Sequence, residues 1–180
     1  MAYYFTGQYE KALADFDHVL RLDPNKSDAW LKKAQVLSAT GKKKKVLEYL
    51  DKALEINPQN SEVLNERGHY YFAINDWNNA FKDYSASLLL NPDQPRIFYS
   101  RAYTYSMQKR YNEAFPDVNE AIRLDPDYGD AYMFRAMLYF ETGKYPESLA
   151  EIEKAKNTGF KVDPQFEANL QKQIKLKQNK

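Results

Sequence analysis

Apolar and small residues along this chain fall at spacings of 3 and 4, and the same pattern returns every 34 residues. The markers of the period are Pro24, Pro58, Pro92 and Pro126, each preceded by Asp or Asn. With those prolines at position 32 of a repeat, position 20 reads Ala12, Val46, Ala80, Ala114, Ser148, and position 27 reads Val19, Ala53, Ser87, Ala121, Ala155. Small side chains recur where two helices must approach closely. Position 24 reads Phe16, Leu50, Tyr84, Val118, Ile152, position 11 reads Tyr3, Leu37, Tyr71, Tyr105, Tyr139, and position 4 reads Trp30, Leu64, Phe98, Tyr132. These larger residues fill the space between the helices. The spacing places each set on one helical face and excludes the alternation of a strand. Each repeat therefore predicts a helix A, a turn and a helix B. The turn falls at position 15, where Gly7, Gly41, Asn75, Lys109 and Gly143 include three glycines suited to a left-handed helix end. Proline at position 32 closes helix B.

This arrangement resembles the tetratricopeptide repeat, with its W…LG…Y…A…F…A…P spacing. The resemblance covers nearly the whole chain and implies an all-α, right-handed superhelical solenoid of helix-turn-helix repeats. It reads as a single array over 1–180: a partial repeat at 1–26, full repeats at 27–60, 61–94, 95–128 and 129–162, and a capping helix with its tail at 163–180. The chain departs from the pattern at Lys43, where an aromatic is usual, and at Phe160, where the proline would stand. Pro116 lies inside a helix B, where it removes a backbone donor and is expected to kink that helix. Pro95 and Pro146 lie at helix starts, where proline fits. The register places Met1 at position 9, so Leu13, Phe16 and Leu20 are expected to lack a first helix A and to favour self-association through an open N-terminal end.

Charge and composition narrow the functional classes. With 26 basic and 25 acidic residues the formal charge is +1, so no global field draws the chain to nucleic acid or an anionic membrane. At 43% hydrophobic the chain can bury a core. The most apolar stretch, Ala131 to Phe140, is interrupted by Arg135 and is far shorter than the roughly 20 residues of a membrane span, so direct membrane insertion is not expected. The first residues, MAYYFTGQYEKAL, do not read as a signal peptide. The absence of cysteine removes thiolate chemistry and fits cytoplasm or periplasm equally.

A catalytic site needs titratable groups that converge, yet the two histidines, His18 and His69, sit on different predicted helices and no glycine-rich phosphate loop is present. The chain is read as a non-enzyme without metal or cofactor. The run Lys42 to Lys45 reads as a solvated turn, with no interleaved aromatics of the kind single-strand binders use. Position 6, which in the chaperone-tail clamps of this family carries donors, reads Lys32, Glu66, Ser100, Phe134 and argues against that ligand. Position 7 reads Lys33, Arg67, Arg101, Arg135 while position 23 reads Asp15, Tyr49, Asp83, Asp117, Glu151, which predicts a ladder of ion pairs within or between repeats that holds a helix A against a helix B, each contributing about 0.2 to 1 kcal/mol if exposed.

What the resemblance implies is a protein-protein interaction scaffold that holds a partner peptide or helix in a concave groove. The alternative is a regulatory or targeting module cut from a larger enzyme or membrane-associated protein. The stripe at positions 2, 5, 9 and 12 resembles the family's inner surface. It reads Asp28, Leu31, Gln35, Ser38, then Glu62, Asn65, His69, Phe72, then Arg96, Tyr99, Tyr103, Ser106, then Asp130, Met133, Met137, Phe140. The expected partner contacts are Asn65, His69, Phe72, Tyr99, Tyr103, Met133, Met137 and Phe140, because Tyr and Met suit adaptable protein contacts. A blander reading has these side chains packing neighbouring A helices or receiving the C-terminal helix, whose Phe166, Leu170 and Ile174 form their own stripe.

Overall fold

The computed structural model describes residues 8–41 and 45–178. Those residues form ten α-helices and no strand: α1 (Tyr9–Leu22), α2 (Ser27–Ala39), α3 (Val46–Ile56), α4 (Ser61–Ala73), α5 (Trp77–Leu90), α6 (Pro95–Met107), α7 (Tyr111–Leu124), α8 (Gly129–Glu141), α9 (Tyr145–Asn157) and α10 (Pro164–Gln178). The pairs α2/α3, α4/α5, α6/α7 and α8/α9 are the helix A and helix B of the four full repeats, and α10 lies against α9. The chain divides into two compact units, Met1–Pro92 and Asp93–Lys180. Tyr3, Gly7 and Lys42 to Lys44 lie outside the described residues.

The small positions are where the A and B helices touch. Ala53, Ala80, Ala114, Ala121 and Ala155 are fully buried, as are Ser87 and Ser148. The buried hydroxyls find acceptors on the partner helix: Ser87 donates to the Ser61 carbonyl at 3.2 Å and Ser148 to the Ala136 carbonyl at 2.7 Å. Satisfying a buried hydroxyl this way avoids a penalty of about 1–3 kcal/mol. Leu50, Tyr84, Val118 and Ile152, the large residues of position 24, are fully buried beside them. In the first unit Leu31, Leu37, Leu50, Leu54, Val63 and Leu64 share one core, on which Leu13 of α1 also packs. Leu20 is buried and Phe16 half-buried, while Leu22 is 76% exposed. In the second unit one core gathers around Val118, Ile122, Phe134 and Leu138, and another around Ala136, Ile152 and Leu170, which brings α10 into the fold.

The turns between A and B helices behave as position 15 demands. Gly41, Asn75, Lys109 and Gly143 all have positive φ, at 72°, 63°, 58° and 72°. Lys109 pays the steric cost of a Cβ there, which glycine avoids. Phe160 takes the place of the missing proline by closing α9 in a different way: its N–H bonds the Ala155 carbonyl at 3.2 Å, and Thr158 and Phe160 fold over Gly129. A Cβ on Gly129 would meet Phe160 Cβ at 2.8 Å, so this way of closing α9 relies on glycine at 129. Pro116 stands inside its helix without ending it. α7 continues through it from Tyr111 to Leu124, with the proline exposed on the solvent side.

The ion-pair ladder is present and more buried than the sequence suggested. Arg67 donates from Nε and Nη2 to Asp83 at 2.7 and 2.9 Å, Arg101 to Asp117 at 2.8 and 2.7 Å, and Arg135 to Glu151 at 3.0 and 2.6 Å. Each acid lies 16 residues after its base, on helix B of the same repeat. The bases also reach back by 16 residues to the preceding helix B: Arg67 to Asp51 at 2.7 Å, Arg135 to Asn119 at 2.7 Å, and Lys33 to Asp17 at 2.6 Å. Lys33 has no acid ahead of it and instead places its ammonium 4.4 Å from the centre of the Tyr49 ring. Asp83, Asp117 and Glu151 are only 5–6% exposed. The bidentate contact with Asp83 holds the Arg67 guanidinium above its ordinary value, and Asp117 does the same for Arg101. With the carboxylates buried, the surface value of about 0.2 to 1 kcal/mol no longer applies, and removal of one partner is the costly event.

Two measurements check this account. Lys109→Gly is expected to stabilise the chain by about 0.5 to 1 kcal/mol, a rise of roughly 2 °C in melting temperature. Arg101→Met is expected to cost about 3 kcal/mol in urea unfolding, and Arg101→Met with Asp117→Leu to recover most of it, because only the single variant strands a buried carboxylate.

Candidate functional site

In the first unit the expected contacts Asn65, His69 and Phe72 follow one another along α4. Asn65 is half-buried, and Phe72 is half-buried with its ring edge-on to Trp77 at 5.0 Å. His69 keeps an outer edge in solvent while its Nδ1 stands 2.8 Å from the hydroxyl of Tyr84, which comes from α5. Burial of that inner edge draws the imidazole below its ordinary pKa against the opposing charge of Glu66, so the ring is neutral at neutral pH. The phenol is the stronger donor of the two, so we assign Nδ1 as the acceptor, which places the imidazole proton on Nε2.

Tyr84 reaches His69 only because residue 68 is glycine. A Cβ there would lie 2.6 Å from Tyr84 Cε1 and 2.8 Å from Cδ1. Beside this pair a cleft of about 90 Å³ opens between α2, α3 and α4, lined by the buried Val46 and Leu50, by the exposed Ile74 and by Glu66 and His69. Glu66 also belongs to a polar lattice that joins α2 to α4. Lys32 Nζ bonds Glu62 at 3.1 Å, and Gln35 Nε2 donates to Glu62 at 3.3 Å and to Glu66 at 3.0 Å.

In the second unit Tyr99 and Tyr103 stack along α6 with ring centres 6.1 Å apart. Phe134 of α8 packs against both, at 5.4 and 5.2 Å, and Tyr128 approaches Tyr99 at 5.4 Å. Desolvation within this group pushes the Tyr99 hydroxyl well above its usual pKa, with Tyr128, Asp130 and Tyr103 adding to the effect. Phe134, the aromatic residue at a position where a carboxylate clamp would place a donor, is 3% exposed and belongs to the core. Met133 and Phe140 face the C-terminal helix: both pack on the cluster that contains Phe166, Leu170 and Ile174, and the Phe140 and Phe166 rings are 5.4 Å apart. Met137, on the same helix, is 41% exposed.

The stripe is therefore not uniform. Leu31, at the same register as Asn65, Tyr99 and Met133, is 1% exposed and part of the first core. One turn further along, His69 and Met137 are exposed and Tyr103 is half-buried. The Tyr84 contact and the cleft beside it were missed by the sequence reading. The signal available was the coincidence in one repeat of glycine at position 8 with tyrosine at position 24, where the other full repeats carry alanine with Leu50, Val118 or Ile152. Among the described residues no cluster of three or more His, Asp or Glu side chains is arranged to hold a metal, and no helix is long and apolar enough to cross a membrane.

The glycine-tyrosine pair makes a quantitative prediction. Gly68→Ala should destabilise the chain by about 1–3 kcal/mol through overpacking. Gly68→Ala with Tyr84→Leu, which recreates the Ala34 and Leu50 pair of the preceding repeat, should show a favourable coupling of at least about 1 kcal/mol in a double-mutant cycle read by urea unfolding. Simple additivity of the two substitutions would refute the steric link.

Comparison with known proteins agrees with this architecture. The chain is similar in structure to crystalline MamA, with a TM-score of 0.82 at 20% identity over 88% of this chain and 92% of that one. It is similar to PilF of Pseudomonas aeruginosa, with a TM-score of 0.82 at 21% identity over 89% and 73% of the two chains. It is also similar to YrrB, with a TM-score of 0.72 at 17% identity over 79% and 74%. No curated protein matches it in sequence. One tetratricopeptide repeat profile matches residues 6–68 and 105–174, and a second profile of the same description matches residues 65–128. The chain belongs to the tetratricopeptide repeat family.

Proposed function

We propose that the chain is a protein-interaction scaffold that binds a partner peptide or helix through side chains on its A helices. The observation that carries this reading is the surface offered by α6 and α8 in the second unit. Tyr103 is half-buried against Phe134, and Met137 and Met107 are 41% and 45% exposed. A tyrosine already ordered by its neighbours loses little entropy on binding, and exposed methionines re-pack around different shapes, which together suit a protein contact. Tyr99 supports the surface from beneath. Met133 and Phe140 act more as seats for α10 than as direct contacts. In the first unit the corresponding face is polar and offers His69 and the cleft beside it. YrrB, whose fold resembles this one, is described as a tetratricopeptide repeat protein with an unusual peptide-binding site, which supports a peptide as the class of partner.

The test begins with selection of binding peptides from a random displayed library against the whole chain. A selected peptide is expected to lose about 2 kcal/mol or more of affinity, roughly thirtyfold, on Tyr103→Ala with Met137→Ala, while the circular dichroism spectrum stays helical. Unchanged affinity in that folded variant would remove the α6/α8 face as the site. Failure to select any peptide would count against the scaffold reading itself.

A further inference from the structure

We infer that the cleft between α2, α3 and α4 is a pocket for one side chain of a bound peptide, and that this side chain is a primary carboxamide, glutamine or asparagine. The inference rests on the scaffold reading above and adds to it the chemistry of one contact.

Size limits the occupant first. At about 90 Å³ the cleft is well below the roughly 300 Å³ at which small-molecule and cofactor sites begin. It suits one side chain. Val46 and Leu50 give an apolar lining for an alkyl stem, and Ile74, 45% exposed, also lines the cleft.

The polar groups then select the head. Glu66 and His69 are one helical turn apart on α4 and both line the cleft. With Nδ1 engaged by Tyr84, the remaining polar atom of His69 is Nε2–H, a donor. Glu66 takes the Gln35 amide on Oε1 and has Oε2 to accept a further donor. One donor beside one acceptor matches a group that carries both. A carboxamide oxygen accepts from Nε2–H while its NH₂ donates to Glu66. A carboxylate would meet Glu66 as a like charge, an ammonium would set its protons against Nε2–H, and a hydrocarbon would desolvate both polar groups without replacing their hydrogen bonds.

The pocket is also built in a way that core packing does not require. Three full repeats fill position 24 with Leu50, Val118 or Ile152 and position 8 with Ala34, Ala102 or Ala136. Only the repeat with His69 replaces that pair by Tyr84 and Gly68, and the exchange carries a hydroxyl from helix B past helix A to the imidazole. Glu66 is held in turn by Gln35. Both head groups are oriented before a ligand arrives, which is how a shallow site gains selectivity.

The experiment follows the His69 ring resonances by NMR in the whole chain during titration with four blocked tripeptides, acetyl-Ala-Xaa-Ala-amide, with Xaa as Gln, Glu, Leu or Lys. The Gln peptide is expected to shift those resonances saturably, with the Glu and Leu peptides about tenfold weaker or silent. Tyr84→Phe keeps the buried ring and removes the hydroxyl. It should weaken the Gln peptide by about three- to tenfold while the chain melts as a folded protein. Equal binding of the Leu peptide would overturn the carboxamide assignment in favour of an apolar dimple, and preference for the Lys peptide would overturn it in favour of Glu66 acting alone. No shift at His69 with any peptide would overturn the pocket, and library peptides whose binding still depended on Tyr103 and Met137 would show that the scaffold reading survives its loss.

Discussion

Everything in this fold follows from the distance at which helix A and helix B of one repeat can meet. That distance is set by Ala53, Ala80, Ala114, Ala121 and Ala155 together with Ser87 and Ser148, none of which leaves measurable surface. Close approach brings Leu50, Tyr84, Val118 and Ile152 into full burial. It also brings residues 16 apart in sequence within bonding distance, so that Arg67, Arg101 and Arg135 clasp carboxylates on the neighbouring helix. The apolar gain near the interface and the charged clasp at its edge are thus two consequences of the same spacing. A bulkier residue at any of the small positions would disturb both.

The candidate site arises where one repeat departs from that common solution. The other full repeats solve the approach with an alanine facing an aliphatic residue, and the exposed histidine's repeat solves it with glycine facing tyrosine. The volume balance is kept, but a polar atom now lies at the end of the larger side chain. Its partner is His69 at 2.8 Å, on the face that the neighbouring repeats fill with Gln35 and Tyr103. The second unit achieves a surface of different character by aromatic stacking among Tyr99, Tyr103, Tyr128 and Phe134.

The period, the helix pairs and the small-against-large contacts were legible in the sequence because each depends only on local spacing and side-chain volume. The positive φ of Asn75 and Lys109 was legible for the same reason, since the turn position is fixed by the repeat. The forward half of the charge ladder could be read by aligning positions 7 and 23, whereas the backward half uses Asp17, Asp51 and Asn119 at position 25, which that alignment does not include. The fate of the stripe was harder to read. Whether Met133 and Phe140 face a ligand or α10 depends on where the C-terminal helix docks, and whether Phe134 is core or surface depends on two tyrosines from another helix. Those are tertiary matters that helical periodicity does not encode.

Where a ladder base reaches both ways, as Arg67 and Arg135 do, its two reaches act as a ruler laid along the chain. Arg67 measures 16 residues forward to Asp83 and 16 back to Asp51, and Arg135 measures the same intervals to Glu151 and Asn119. One reach crosses the turn inside a repeat and the other crosses the connection between repeats, so a residue gained or lost in the turn leaves a buried acid out of step with its base, and one gained or lost in the connection breaks the outer contact with Asp51 or Asn119. A whole repeat added or removed within a unit restores both intervals at once. Such an array can change its length by duplication of entire repeats far more readily than by the small insertions that surface loops elsewhere absorb, and the charged ladder enforces that rule together with the apolar contacts that share its spacing.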